Sequence, residues 1–296
     1  MINFMGKKWL YFLISAVFLL PGIVSLIMWG LKPSIDFTGG TFWELRFPEN
    51  IDARKGEVIE VVQSQGVEVQ VFQSSSSQVY RLRTKFMTSD TAQTILPKLK
   101  EKFGDVQEVR FGTVGPTLGA EFLRKTIIAV TLAIFIILGY IAWTFKNVEY
   151  GVSAILALLH DTIILIGIFS LLGHFLQVEV DALFVTAVLT IMSFSVHDTI
   201  VVYDRIRESK RHYPDASMTD LINKAVNETL GRSVNNSMTI IIMLTALLLL
   251  GGETIKWFAF ALLIGTISVT FSSTFTAAPI LDVWHTIDEK RKKGKK

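Results

Sequence analysis

Two histidine–aspartate pairs lie inside apolar stretches of the chain and are the residues best placed to do chemistry. His160-Asp161-Thr162-Ile163 and His197-Asp198-Thr199-Ile200 repeat the same four residues. A carboxylate beside an imidazole can pass a proton, because their pKa values in water are about 4 and about 6.5. An ionisable side chain inside a bilayer costs about 2.5 to 3.5 kcal/mol, so each pair needs a partner or a function. The pairs are therefore either proton-relay elements or packing residues that hydrogen-bond across helices.

Asp198 has further support from its position in the chain. It lies near one end of its apolar stretch, and Arg232 precedes the next stretch at the same membrane face. A carboxylate and a guanidinium at matching depth could form an ion pair that breaks when the carboxylate takes a proton. Asn235 and Asn236 follow one turn later and could line the same polar path. The alternative is that Arg232 is an ordinary basic residue flanking a span.

Other kinds of chemistry find less support in the sequence. With no cysteine in the chain, a zinc or iron site would need the two His-Asp pairs, whose spacing lacks a His-x-x-x-His ladder. No Gly-x-x-x-x-Gly-Lys-Ser/Thr run is present, so ATP binding is not expected. We predict no metal and no organic cofactor, with protons as the coupling ion. Sodium is the alternative ion, since it would use the same carboxylate.

The elements that must position these residues are membrane helices. Of the 296 residues, 50% are hydrophobic and only 19% are charged, and the mean hydropathy is +0.46. About 20 apolar residues cross the hydrocarbon core of a bilayer. Six such stretches are predicted to span the membrane: 9–30, 126–145, 152–172, 182–203, 234–250 and 257–281.

The basic residues predict the orientation of these spans. With the N-terminus inside, the inner connections and termini carry fifteen Lys and Arg, whereas the outer short connections carry only Lys256. Basic residues are retained on the cytoplasmic side, so we predict both termini in the cytoplasm and residues 32–125 outside. The predicted domains are a first span over 1–31, an external domain over 32–125, spans over 126–281 with a cytoplasmic loop 204–233, and a basic tail over 282–296.

The external domain has a readable order of elements. Alternating strands are predicted at 41–47, 67–73, 78–84 and 106–111, and helices at 52–65 and from a cap at Ser89 or Asp90 to Phe103. Four serines over 74–77 are predicted to turn the chain. The order β-α-β-β-α-β predicts a ferredoxin-like α+β domain. Its 13 basic and 12 acidic residues give no bias towards nucleic acid. The predicted fold class is therefore six transmembrane α-helices with one external ferredoxin-like domain.

Several motifs together resemble the SecF family of accessory subunits of the Sec protein-export translocase, within the SecD/SecF family and the resistance-nodulation-division superfamily. The resemblance covers essentially the whole chain. The motifs are Asp36-Phe37-Thr38-Gly39-Gly40, Gly115-Pro116-Thr117-Leu118-Gly119, the run from Ser195 to Glu208, Asn227-Glu228-Thr229-Leu230-Gly231-Arg232-Ser233 and Gly251-Gly252-Glu253.

The resemblance implies a non-enzymatic subunit of the inner membrane that pairs with SecD and uses the proton-motive force in late protein export. The implied partners are SecD, the SecYEG channel, YajC, membrane lipid and the translocating unfolded preprotein, with neither nucleic acid nor ATP. It places the functional aspartate on Asp198 and its arginine on Arg232. Asp161 with His160 is a weaker candidate, and so is His197, where many relatives have Asn. Asp36, Gly39 and Gly40 are implied to serve structure or coupling.

Two other functions share part of this pattern. A proton-coupled exporter of small molecules would use the same buried carboxylates, but usually carries a second large external domain in one chain. A structural subunit that conducts no protons would keep its function after Asp198→Asn.

Overall fold

The computed structural model describes residues 2–74, 78–145 and 147–293. The chain divides into two compact units, each described separately below. One comprises Met1–Lys32 and Ala129–Lys296 and is called the membrane unit; the other comprises Pro33–Ile128 and is called the external unit after its predicted location. The helices are α1 (Lys8–Met28), α2 (Ile35–Thr38), α3 (Lys55–Gln63), α4 (Ser89–Phe103), α5 (Pro116–Thr144), α6 (Val148–Phe175), α7 (Ala182–His212), α8 (Met218–Leu250), α9 (Glu253–Ser272) and α10 (Ala278–Lys293).

Within the residues that the structure describes, six helical segments are long and apolar enough to cross a membrane, which confirms the predicted number of spans. Five of them are the single helices α1, α5, α6, α7 and α8. The sixth joins α9 to α10 through a π-helical segment, Ser273–Ala277. π-helical turns are rare and occur mostly at functional sites.

The connection over 204–233 between the fourth and fifth predicted spans is largely helical. Helix α7 continues to His212, and α8 begins at Met218, with the Ser217 hydroxyl accepting a bond from the Asp220 amide at its N-terminus. Only 213–217 connects the two helices. They extend beyond the apolar stretches because Ile206 and Ile222, both buried, continue the hydrophobic faces that the helices present to one another. Span ends read from hydropathy alone miss such amphipathic extensions.

The first membrane helix packs closely on α6 through two glycines. A Cβ atom built on Gly167 would lie 2.5 Å from the Cα atom of Gly22, so no larger residue fits at this crossing. Near it, the Ser25 hydroxyl donates to Ser170 at 2.7 Å, and Ser170 donates to the carbonyl of Gly30 at 2.6 Å. Small residues let membrane helices approach and hydrogen-bond in this way.

The described part of the external unit contains one antiparallel sheet of four strands in the order β2-β3-β1-β4. The strands are β1 (Gly40–Arg46), β2 (Val69–Ser74), β3 (Val79–Thr84) and β4 (Gln107–Val114). Trp43 of β1 lies opposite Leu82 and Phe111 of its two neighbouring strands. The inward side chains of the sheet form one core with the buried faces of α3 and α4, because strand residues alternate in direction with a period of two.

Two details of the external unit differ from the sequence prediction. The helix predicted over 52–65 starts as a 3₁₀ turn, Asp52–Arg54, before α3. The cap of α4 is Thr88, whose hydroxyl accepts from the Thr91 amide, and not Ser89 or Asp90. Thr88 has the extended backbone that an N-cap needs, whereas the two following residues are helical. The predicted serine turn includes Ser75, Ser76 and Ser77, which lie outside the described residues.

Candidate functional site

Asp161 is the most completely bonded carboxylate among the membrane helices described. It lies near the middle of α6 and is 1% exposed. Its Oδ2 accepts hydrogen bonds from Ser195 of α7 at 2.7 Å and from Ser272 of α9 at 2.6 Å. Its Oδ1 accepts from Ser268 of α9 at 2.8 Å. Three hydroxyl groups from two helices therefore surround one carboxylate from a third.

His160 adjoins this carboxylate directly. Its Nδ1 lies 3.1 Å from Asp161 Oδ1, although neighbours on a helix point about 100° apart. The imidazole is buried, and its Nε2 finds no partner within the part of the chain that the structure describes. This side chain also lines a groove of about 210 Å³, together with Phe18 of α1 and Ile264 of α9. The third-span pair thus forms one buried unit, which the sequence alone could not decide.

Asp198 is buried in α7, one turn beyond Ser195, and is only sparsely bonded. Its Oδ1 accepts from Ser233 of α8 at 3.2 Å. Its Oδ2 has no partner among the described residues, and the side chain is 5% exposed. A buried carboxylate oxygen without a donor is costly to keep charged. Asp198 is therefore the membrane carboxylate whose surroundings leave most room for a proton or for a new partner.

The predicted ion pair between Asp198 and Arg232 is not formed within the described chain. Arg232 is exposed and lines a cleft of about 450 Å³ between α7 and α8, at whose wall Arg205 bonds Glu228 and Glu208. Ser233, the next residue on α8, points towards Asp198. Neighbouring positions on a helix diverge by about 100°, so the Arg232 side chain points in another direction. Pairing of Asp198 with Arg232 stays a prediction for a state in which α8 is rotated.

His197 and the two predicted path asparagines face outward. The His197, Asn235 and Asn236 side chains are exposed, and His197 lines a groove of about 360 Å³ between α5 and α7. Asp198 next to His197 points into the bundle, so the fourth-span pair is split between two faces. The described residues hold no cluster of three or more His, Cys, Asp or Glu that could bind a metal ion.

The motif of Asp36, Gly39 and Gly40 shapes the start of the external sheet. Asp36 lies in the short α2, and the two glycines have φ angles of +70° and +117°, which other residues rarely adopt. A Cβ atom on Gly119 would lie 2.6 Å from the amide nitrogen of Gly39. The segments that enter and leave the sheet therefore touch through two glycines, and this contact explains the motif by backbone geometry.

Sequence reasoning missed several bonded groups. Ser268 and Ser272 are uncharged and do not stand out in an apolar span, although their i, i+4 spacing puts two hydroxyls on one face of the helix. The Asp282 carboxylate of α10 is also buried and accepts from Lys8 and from Thr219, each at 2.7 Å. Its position near the end of a span gave no separate signal, because flanking charges are common there.

Comparison with known proteins identifies the family. The sequence model described as "Protein export membrane protein SecD/SecF, C-terminal" matches residues 94–287. A protein translocase subunit SecF from Thermobaculum terrenum is 41% identical over 97% of this chain and 95% of its own length. The SecF of Anaerolinea thermophila is 37% identical over 96% and 94% of the two chains.

The solved structures give the same result for the fold. A crystal structure of SecDF from Thermus thermophilus, described as a translocon-associated membrane protein, has a TM-score of 0.83 and 30% identity. It covers 96% of this chain, which spans only 39% of that longer one. A second SecDF structure, in a super-membrane-facing form, has a TM-score of 0.71 and 28% identity.

Proposed function

This chain belongs to the SecD/SecF family of protein export membrane proteins, and we propose that it drives late stages of protein export together with SecD, using the proton-motive force. In this proposal it is a non-enzymatic translocase subunit of the cytoplasmic membrane, with SecYEG, YajC and the translocating preprotein as further partners. The observation that carries the coupling is Asp198, a buried membrane carboxylate with one oxygen lacking a donor. Uptake of a proton at this oxygen would remove the uncompensated charge.

Asp198 is proposed as the proton-responsive group, with Arg232, His197, Asp161 and His160 as further coupling residues. Protonation of Asp198 changes which groups on α8 it can bond. An ionised carboxylate accepts a charge-assisted hydrogen bond from a guanidinium, whereas a neutral carboxyl group has lost the charge that strengthens this bond. Ser233 and Arg232 are adjacent on α8, so a rotation of α8 exchanges one for the other. A proton that crosses 100 mV supplies about 2.3 kcal/mol for such a change.

The outward polar face of α7 and α8 supports SecD as the partner. His197, Arg232, Asn235 and Asn236 are exposed in the isolated chain, and polar side chains that face lipid are costly. Helices of a partner would cover them. The Thermus thermophilus SecDF relative, in which a segment like this chain occupies 38% of one longer polypeptide, supports the same association.

The distribution of basic residues supports an orientation with both termini in the cytoplasm and the external unit on the opposite side. The sheet order and the two helices packed on one face of the sheet support a ferredoxin-like class for that unit. Asp36, Gly39 and Gly40 are proposed to serve structure and coupling at its entrance.

The decisive experiment uses vesicles that contain SecYEG, SecD and this chain, and follows late export of a preprotein with and without an imposed pH gradient. The gradient should accelerate release for the wild type but not for Asp198→Asn. At 100 mV the acceleration lost is at most about fiftyfold, which is 2.3 kcal/mol expressed as a rate ratio. Asp215→Asn, at an exposed position between α7 and α8, is the matched control and should respond like the wild type. Equal responses of all three proteins would contradict the proposal and leave a structural subunit.

A further inference from the structure

Two of the buried aspartates in the membrane unit, Asp161 and Asp198, differ in their supply of hydrogen-bond donors. Asp198 receives one hydroxyl bond, whereas Asp161 receives three, from Ser195, Ser268 and Ser272. These three bonds connect α6 to α7 and to α9. A carboxylate accepts all three only while it is ionised, since a protonated carboxyl group presents one O–H donor of its own.

The helix that supplies two of these serines changes its geometry directly after them. The π-helical segment Ser273–Ala277 begins at the residue following Ser272. The hydroxyls of Ser273 and Thr274 are buried in it and have no partner among the described residues. A π-helical turn holds one extra residue compared with an α-helical turn. The same segment therefore has two possible arrangements, one π-helical and one α-helical.

We propose that Ser195, Ser268 and Ser272 are positioning residues that hold ionised Asp161 as a lock between α6, α7 and α9. Protonation of Asp161 opens this lock and lets the π-helical segment convert to α-helix. The inference rests on the proposed function only in taking protons as the coupling ion. In this step the proton adds to Oδ2, which accepts from both Ser195 and Ser272. The new O–H donates to one of these hydroxyls, which reverses its direction and becomes an acceptor, and the bond to the other serine is lost.

Conversion of the π-helical segment would move α10 as a whole. One residue of register change rotates the following helix by about 100° and advances it by about 1.5 Å. For a helix about 11 Å in diameter with its side chains, an outward-facing side chain then moves by about 8 Å. A distance measured from α6 to α10 therefore reports the state of the lock.

Several other titratable groups lie on the elements packed against Asp161. On α6, His160 bonds Asp161 itself, Glu149 lies 3.7 Å from His285 of α10, and His174 is exposed. On α7 these groups include Asp198, the outward-facing His197 and the charged stretch 204–212, and on α10 they include Asp282, which pairs with Lys8 of α1. Between Trp257 and Ser272 the α9 sequence carries no charged residue. A response due to Asp161 is thus separable by substitution at that residue.

Because the chain contains no cysteine, two spin labels can be attached to introduced cysteines without first removing native ones. Leu159→Cys on α6 and Ile287→Cys on α10 use exposed positions. Distances between the labels are measured by pulsed electron resonance in the full chain with SecD, in lipid nanodiscs. Asp161→Asn removes the charge at nearly constant side-chain size and should shift the distance distribution by several ångströms from that of the wild type.

Removal of single hydroxyls provides the test for the serines. Ser272→Ala should move part of the distance distribution towards that of Asp161→Asn, because the ionised carboxylate loses one of its three hydroxyl donors. Ser268→Thr keeps a hydroxyl and should leave the wild-type distribution in place. Ser237→Ala is the matched control, since this buried hydroxyl of α8 has no partner among the described residues.

Two results would overturn the inference: an Asp161→Asn distance distribution equal to that of the wild type, or a Ser272→Ala distribution equal to that of Ser237→Ala. The measurement needs no export. Loss of export coupling in Asp198→Asn with an intact distance response supports both proposals, and normal coupling in Asp198→Asn with an intact response contradicts only the proposed function.

Discussion

Replacement of Asp282 by alanine should destabilise the membrane unit by about 3 kcal/mol. The carboxylate is 1% exposed and accepts two bonds at 2.7 Å, from the Lys8 ammonium and the Thr219 hydroxyl. A bond to a charged group contributes about 1.5 to 3 kcal/mol, and a hydroxyl bond between membrane helices about 0.6 kcal/mol. The Lys8 side chain is 23% exposed, so its ammonium can turn towards water and avoids the full cost of an isolated buried charge.

Partial substitutions should divide this cost between the two bonds. Thr219→Val removes only the hydroxyl and should cost about 0.6 kcal/mol. A double-mutant cycle with Lys8→Met and Asp282→Ala should give a coupling energy of at least about 1.5 kcal/mol, because the two groups are in direct contact. The free energy of unfolding is measured by reversible denaturation of the purified chain in mixed micelles of increasing dodecyl sulfate content.

Asp215→Ala is the control for removal of a carboxylate, since its exposed side chain should contribute less than about 0.5 kcal/mol. A coupling energy near zero, or equal costs for Asp282→Ala and Asp215→Ala, would refute the reasoning. It would show that the ion pair contributes nothing to the packing of α1, α8 and α10.

Two further predictions concern the helix crossing and the external sheet. Gly167→Leu should lower the free energy of unfolding by at least about 1 to 3 kcal/mol in the same assay, because the new side chain would overlap the backbone at Gly22. Gly139→Leu is the control, since nothing lies within 4 Å of a Cβ atom at that position. Equal losses in the two variants would contradict the close approach of the helices. In the external unit a hydrogen bond from Arg54 lowers the pKa of Glu57 below its ordinary 4.5. A lowered pKa stabilises the folded state at pH values above the pKa of the unfolded state, and this stabilisation is lost as the pH falls through the pKa of the folded state. Amide exchange protection of β1 should therefore decline between about pH 5 and pH 3, and less steeply in Glu57→Gln. An unchanged slope in that variant would rule out this bond as a source of acid sensitivity.

Several features of the site could be predicted because they depend on single residues or on short stretches. Asp161 and Asp198 could be singled out because an ionisable side chain inside an apolar stretch is energetically costly unless a partner or a function offsets it. Both are buried and hydrogen-bonded to side chains of other helices. The helix ends within 204–233 could not be predicted, because hydropathy marks the end of the apolar stretch, while α7 continues as an amphipathic helix to His212. The cap at Thr88 was missed by one residue, since threonine, serine and aspartate are all suitable caps and only the backbone angles decide among them.

The sequence by itself determined the six spans and the alternation of the external strands, because both follow from local periodicity and the length needed to cross a bilayer. The tertiary structure alone decided what each carboxylate bonds. Ser268 and Ser272 lie 107 and 111 positions from Asp161 and meet it only because α9 packs against α6. It likewise directed Ser233 rather than Arg232 towards Asp198. Helix packing fixes rotation about each helix axis, and an error of one residue, about 100°, exchanges one partner for another.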